Sequence, residues 1–196
     1  MVKRHKAATS LRHPSDTVSV VLSSALYLGP CSAASSESFL STKSITQVLS
    51  VGSTPSPKVE GVVYHRLSLS DSTTSSISNT IDAATEIIKA ALQSNKGRGR
   101  ILVHCSAGVS RSPTIVCGYL MKEHNMSLKN ALGLIVRARP QVSPNPGFLN
   151  QLKDLEVALF GSSSLDIDEL PRREIDRLAL FNDDGDNVQL SHTVNN

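Results

Sequence analysis

Cys105 and Arg111 stand six positions apart in the run Val103-His104-Cys105-Ser106-Ala107-Gly108-Val109-Ser110-Arg111-Ser112. A thiolate is a strong nucleophile, and a guanidinium grips two oxygens of an oxyanion at once. Together they suit attack on a bound phosphate monoester. Such an ester resists attack because its oxygens are negative. A site for it must therefore offset charge and align nucleophile with leaving group. Cys105 is the candidate nucleophile and Arg111 the candidate phosphate grip. The candidate phosphate-binding amides run through Ser106, Ala107, Gly108, Val109, Ser110 and Arg111, with Gly108 permitting the backbone turn that gathers them. Ser112 offers a hydroxyl to the cysteine sulfur, which would help the sulfur leave when the thiophosphate is hydrolysed. His104 is expected to order the loop.

A leaving alkoxide or phenoxide also needs a proton. Asp71, in a Ser/Thr-rich segment before a helix, is the best candidate to give it, and a turn or N-cap aspartate is the alternative. His65 and His124 are further candidates. Cys117 falls on the following helix and reads as core. Cys31 follows Gly29-Pro30 and reads as a loop or helix-start residue, with a redox partnership to Cys105 as the alternative.

The elements that must position these groups follow from apolar spacing. Ile101-Leu102-Val103 reads as a buried strand. Pro113 to Leu120 reads as a helix start, where proline costs no hydrogen bond. A loop joining strand to helix N-terminus is an anion site. Val18 to Leu22, Ala25 to Leu28, Ile45 to Val51 and Val62 to Leu67 are predicted strands. Ala33 to Leu40 is a predicted short helix. Ile77, Ile81, Ala84, Ile88 and Ala91 repeat at helical spacing. Another helix starts behind Ser127 as N-cap, and Phe148, Leu152, Leu155 and Leu159 mark a last one. Strands alternating with helices predict an α/β layered domain over residues 17–160.

The chain has 196 residues, 39% hydrophobic but only 4% aromatic, so its core is aliphatic. The net charge of +3 is unevenly spread, with −5 from residue 161 onward and +8 before it. A basic body suits an anionic substrate. Residues 1–16 hold Lys3, Arg4, Lys6 and Arg12 with no acid before Asp16. They are predicted to form a flexible basic arm, with an organelle transit peptide as the alternative. Val2 stands where N-myristoylation needs glycine. Residues 161–196, Ser-rich and then acidic, are predicted to be disordered. Three cysteines give neither a disulfide framework nor a metal pair. A reducing compartment, cytoplasmic with the nucleus also open, is expected. No secretory signal or membrane-length apolar stretch is visible, and no membrane, nucleic-acid or metal partner is expected.

The run His104 to Ser112 resembles the HCxxGxxR[ST] signature of the dual-specificity protein phosphatases, within the cysteine-based protein tyrosine phosphatase superfamily. Leu26-Tyr27-Leu28-Gly29 is similar to an early family strand. Ile45-Thr46-Gln47-Val48-Leu49 is similar to another, with Ser50 in place of the usual Asn. Tyr64 through Asp71 resembles the strand and general-acid loop. Arg137-Ala138-Arg139-Pro140, Asn145-Pro146-Gly147-Phe148 and Gln151-Leu152 resemble the C-terminal segment. The resemblance covers about residues 17–160.

It implies a central mixed, mostly parallel sheet flanked by helices, with the phosphate loop between strand and helix. It implies a small, single-domain member with a shallow pocket for phosphoserine, phosphothreonine and phosphotyrosine. It also implies a cysteinyl-phosphate on Cys105, Asp71 as acid and then base, and no metal or cofactor. The expected partner is a phosphoprotein substrate. A MAP kinase is one candidate, because Arg172-Arg173 followed by Leu178-Ala179-Leu180 resembles a docking peptide. A short helix packed on the body is the other reading of that pattern. The loop lacks the lysine that phosphoinositide phosphatases of the superfamily carry beside the cysteine, which argues against inositol lipids. No carbohydrate-binding module is visible, which argues against glucan. An RNA 5′-phosphatase and a phosphate-binding scaffold remain as alternatives.

Overall fold

Strand β5, Ile101–His104, is the centre of the protein, and its residues are fully buried. The structure, a computed structural model, describes residues 18–182. The predicted arm at 1–16 and residues 183–196 lie outside the described residues. Strands β2 (Leu26–Gly29) and β3 (Gln47–Val51) flank β5, and both run parallel to it. β4 (Val63–Leu67) lies parallel outside β3, and β1 (Ser19–Leu22) lies antiparallel outside β2. The sheet order is β1-β2-β5-β3-β4. This is the mixed, mostly parallel sheet expected. Its register sets Gly29 and Ser50 on either side of His104. The loops that follow these strands therefore open at one edge, where parallel sheets place their ligands.

The helices are α1 (Glu37–Thr42), α2 (Ser78–Gly97), α3 (Arg111–His124), α4 (Leu128–Ala138), α5 (Pro146–Phe160) and α6 (Glu174–Leu180). Ile101 and Val103 face a large cluster that includes Ile81 and Ile88 of α2, Ile115 and Leu120 of α3, and Phe148 of α5. Leu102 faces a smaller one with Tyr27, Ala34, Leu40 and Val48. Burial on both faces explains why β5 is a continuous apolar run rather than an alternating one. Helix α3 is buried at every residue from Ser112 to Met121. It packs against α2, α4 and α5, so its N-terminus is fixed under the loop.

The strands fall within one or two residues of their expected ends, but one expected helix is divided. The predicted helix Ala33 to Leu40 is two pieces, a 3-10 turn over Cys31–Ser35 and then α1. Ser36 divides them, because its hydroxyl accepts the Phe39 N–H and starts a new helix. Ser127 does cap α4, accepting the Asn130 N–H at 3.2 Å.

The larger difference is at the C-terminus. Composition predicts disorder from residue 161, yet residues 161–182 fold back on the body as a strap. Glu156, 1% exposed, accepts the N–H of Leu128 at 2.7 Å, and the N–H and Oγ–H of Ser164 at 2.8 and 2.6 Å. Leu165, Leu170 and Phe181 bury themselves in the main cluster. Leu178 and Leu180 of α6 pack against the same cluster. The basic-then-apolar pattern is thus a packed helix. A few well-spaced apolar anchors and one buried carboxylate hold the strap, and an average over polar composition hides them. Glu156→Ala leaves two backbone N–H groups without their acceptor and is expected to destabilise the fold by about 2–4 kcal/mol. Urea unfolding checks this, and an unchanged midpoint would contradict it.

Candidate active site

The loop between β5 and α3 turns its carbonyls outward. The Ser106 carbonyl accepts the Cys31 N–H at 2.9 Å. The Ala107 and Gly108 carbonyls accept Nη2 and Nε of Arg139 at 2.8 and 2.7 Å. The Val109 carbonyl accepts the Ser143 N–H at 2.9 Å. The Ser110 carbonyl accepts the N–H and Oγ1–H of Thr114 at 3.1 and 2.8 Å. In a trans peptide the N–H points opposite to the C=O, so these bonds turn the amides inward. Gly108 has φ +68°, and a Cβ there would lie 2.5 Å from the Gly29 carbonyl oxygen. Arg139 is 1% exposed and supports the loop from below.

Cys105 lies inside this ring. Its sulfur receives the Gly108 N–H at 3.3 Å and the Ser112 Oγ–H at 3.3 Å. Burial pushes its thiol up. Hydrogen bonds from the hydroxyl and N–H of Ser112 and from the amides of Gly108 and Val109 pull it down, and the net shift is downward. The N-terminus of α3 favours the thiolate too. Cys31 is the opposite case: burial, and then the nearby charge of Cys105, raise its thiol. Its contact with the loop is through its backbone. Cys117 is fully buried in the core, and burial raises its thiol strongly.

His104 is fully buried behind the nucleophile. Its Nδ1 lies 3.0 Å from the Cys105 carbonyl, which can only accept, so Nδ1 carries the proton. Nε2 then accepts the Ser50 hydroxyl at 2.8 Å. Burial lowers its pKa and keeps the ring neutral. Serine at position 50, where the resemblance expects Asn, supplies this hydroxyl.

Arg111 donates from Nη2 to the Ser106 hydroxyl at 3.0 Å, and Ser106 pairs with Ser53 at 2.8 Å. Its buried Nε has no hydrogen-bond partner among the described residues and sits 3.7 Å from Oδ2 of Asp71. The guanidinium is thus ion-paired with Asp71 through Nε rather than hydrogen-bonded to it. Gly52, at φ +70°, gives it room: a Cβ there would lie 2.5 Å from Nη1 of Arg111 and 2.2 Å from the Leu69 carbonyl oxygen.

Asp71 is brought to the same place. Its Oδ1 accepts Ser110 Oγ–H at 2.7 Å and Asn145 Nδ2–H at 2.9 Å. Ser110 Oγ in turn accepts the Asn145 N–H at 3.2 Å. Gln151 ties the rest of the loop to α5, donating to the Ser75 carbonyl at 2.9 Å and accepting the Ile77 N–H at 3.0 Å. The side-chain roles of Ser110, Asn145, Gln151 and Arg139 were missed from sequence. Their only signal was membership of family-like segments. The alternative acids lie elsewhere. His65 pairs with Gln47 across β3 and β4 at 3.0 Å. His124 packs on Tyr119 at the far end of α3, about 20 Å along the helix from the loop.

Residues 26–158 match the family "dual specificity phosphatase, catalytic domain". The chain belongs to that family. It is 36% identical over 160 residues to dual specificity protein phosphatase 1 of Arabidopsis thaliana, covering 81% of this chain and 78% of that one. It is 36% identical over 151 residues to dual specificity protein phosphatase 14 of Mus musculus, covering 76% of this chain and 75% of that one. The crystal structure of human DUSP28 aligns with a TM-score of 0.66 at 31% identity, covering 72% of this chain and 94% of that one. This dual specificity phosphatase is a protein tyrosine/serine/threonine phosphatase. The family match ends at residue 158, whereas the packed structure continues through the strap to Phe181.

Gly52→Ala is expected to unseat Arg111, and through the Leu69 carbonyl and the left-handed backbone at 52 to lower stability as well. Inorganic phosphate should then bind about tenfold more weakly, the worth of one charged hydrogen bond. Calorimetric titration with phosphate checks this, and wild-type affinity would contradict it.

Proposed function

We propose that this phosphatase acts through a cysteinyl-phosphate on Cys105. The substrate phosphate sits on the amides of residues 106–111 and on Arg111. The Cys105 thiolate attacks phosphorus, the S–P bond forms as the ester P–O bond breaks, and Asp71 gives its proton to the leaving oxygen. Water then attacks phosphorus and Asp71, now a carboxylate, takes its proton. The S–P bond breaks, Ser112 supports the departing thiolate by its hydroxyl, and inorganic phosphate is released. His104 orders the loop and touches no reacting atom. No step needs a metal or an organic cofactor. The observation that carries this reading is the Cys105 sulfur held by the Gly108 N–H and the Ser112 hydroxyl, with Asp71 bound to Ser110 of the same loop and 3.7 Å from Arg111.

The substrate is a phosphoprotein. The absence of lysine between Cys105 and Arg111 supports protein over inositol lipid. MAP kinases enter as a finer candidate only, since the apolar residues of the docking-like pattern are engaged by the body. Cytoplasmic or nuclear residence goes with the chemistry, because the nucleophile must stay reduced.

Cys105→Ser is expected to abolish turnover of aryl phosphates and phosphopeptides while still binding phosphate, because the amides and Arg111 remain. Asp71→Asn keeps Oδ1 as an acceptor for Ser110 and Asn145 but removes the acid. It should slow phosphoserine peptides about a hundredfold or more, and aryl phosphates with good leaving groups far less. Near-wild-type turnover by Cys105→Ser would sink the reading. Trapping substrates on the Cys105→Ser protein then tells whether a MAP kinase is among them.

A further inference from the structure

The strap is built onto the segment that holds the phosphate loop. Arg177 of α6 is 6% exposed. Its Nε donates to the Pro140 carbonyl at 2.7 Å, and its Nη1 donates to the Pro171 and Arg172 carbonyls at 2.6 and 2.7 Å. Pro140 follows Arg139, whose guanidinium holds the Ala107 and Gly108 carbonyls. Ser143, three residues on, holds the Val109 carbonyl. A second tie runs from Arg137 Nη1 to the Phe181 carbonyl at 2.9 Å. Phe181 also packs on Gly133, where a Cβ would lie 3.1 Å from its ring. The segment 137–143 is thus gripped from the loop side by three bonds and from the strap side by two.

We propose that Arg177 is a positioning residue of the phosphatase, bracing Pro140 so that Arg139 and Ser143 keep the phosphate loop's carbonyls outward. A buried arginine serving three carbonyls fixes their relative places as a shorter or single-headed donor cannot. Released, the Arg139 backbone can shift, and with it the loop amides that face the substrate. The strap lies outside the family-matched residues 26–158. The inference rests on residues 105–111 being the substrate phosphate site.

The test uses the full chain with Arg177→Met and Arg177→Lys, compared at a temperature where circular dichroism matches wild type. The probes are inorganic phosphate, by calorimetry, and the pH dependence of kcat/KM on an aryl phosphate. Arg177→Met is expected to weaken phosphate binding about tenfold, since misplacing site groups by a fraction of an ångström costs this order. The acid limb of kcat/KM should move to higher pH, because fewer well-placed amides stabilise the Cys105 thiolate. Arg177→Lys keeps the charge but not the fork and should recover part of the affinity. If Arg177→Met does not fold, Arg177→Lys carries the same comparison. A lower melting temperature with unchanged phosphate affinity and an unmoved acid limb would reduce Arg177 to a structural residue and overturn the proposal. Failure of the wild type to bind phosphate would remove the site reading itself, a separate and recognisable outcome.

Discussion

Five consecutive peptide carbonyls, from Ser106 to Ser110, point away from the place where phosphate is to sit. Everything else in the molecule depends on that constraint. A short loop left alone would spread its carbonyls and amides over both sides. Here each carbonyl has an assigned donor from another part of the chain: Cys31 after β2, Arg139 at the end of α4, Ser143 before α5, and Thr114 in α3 itself. The sheet register and the helix packing bring these donors to one edge of β5. Each bond is individually modest, worth about 1 kcal/mol net. Together they preorganise an anion site that needs little rearrangement when phosphate arrives.

The same arrangement decides the state of the nucleophile. Cys105 is 2% exposed, and burial alone would keep it protonated. Hydrogen bonds to a charged acceptor are worth about 1.5–3 kcal/mol each, against about 1.4 kcal/mol for one unit of pKa. A few such donors outweigh burial, and the net shift of Cys105 is downward. Cys31 and Cys117 lack that set and shift upward. Burial raises all three thiols, and only at Cys105 do donors reverse it.

What could be read from sequence was what lies close together in the chain. The strand, the glycine turn, the proline at the helix start, and Cys105 with Arg111 and Ser112 fall within residues 101–113, and local periodicity and spacing reveal them. Asp71 emerged as a candidate from its loop and gained weight from the family resemblance. Gly52, Asn145 and Arg139 come from distant segments. Their roles are contacts with Arg111, Asp71 and the loop carbonyls, which no window of sequence contains. Ser110 was counted as an amide, yet its hydroxyl bridges Asp71 and Asn145. The strap was misjudged for a related reason. Its anchors, Leu165, Leu170, Arg177 and Phe181, are sparse along the chain and gain meaning only from the groove, the carboxylate and the carbonyls that receive them.

The measurement that tests this most directly is the ionisation of Cys105 itself. Thiolate absorbance in the ultraviolet can be titrated on the full chain, with the Cys105→Ser protein subtracted to remove Cys31 and Cys117. Outward carbonyls and inward donors require Cys105 to titrate below the ordinary thiol value of about 8.5. A Cys105 that titrates at or above that value would mean that burial wins, and would contradict the view that the loop's preorganised amides create the nucleophile.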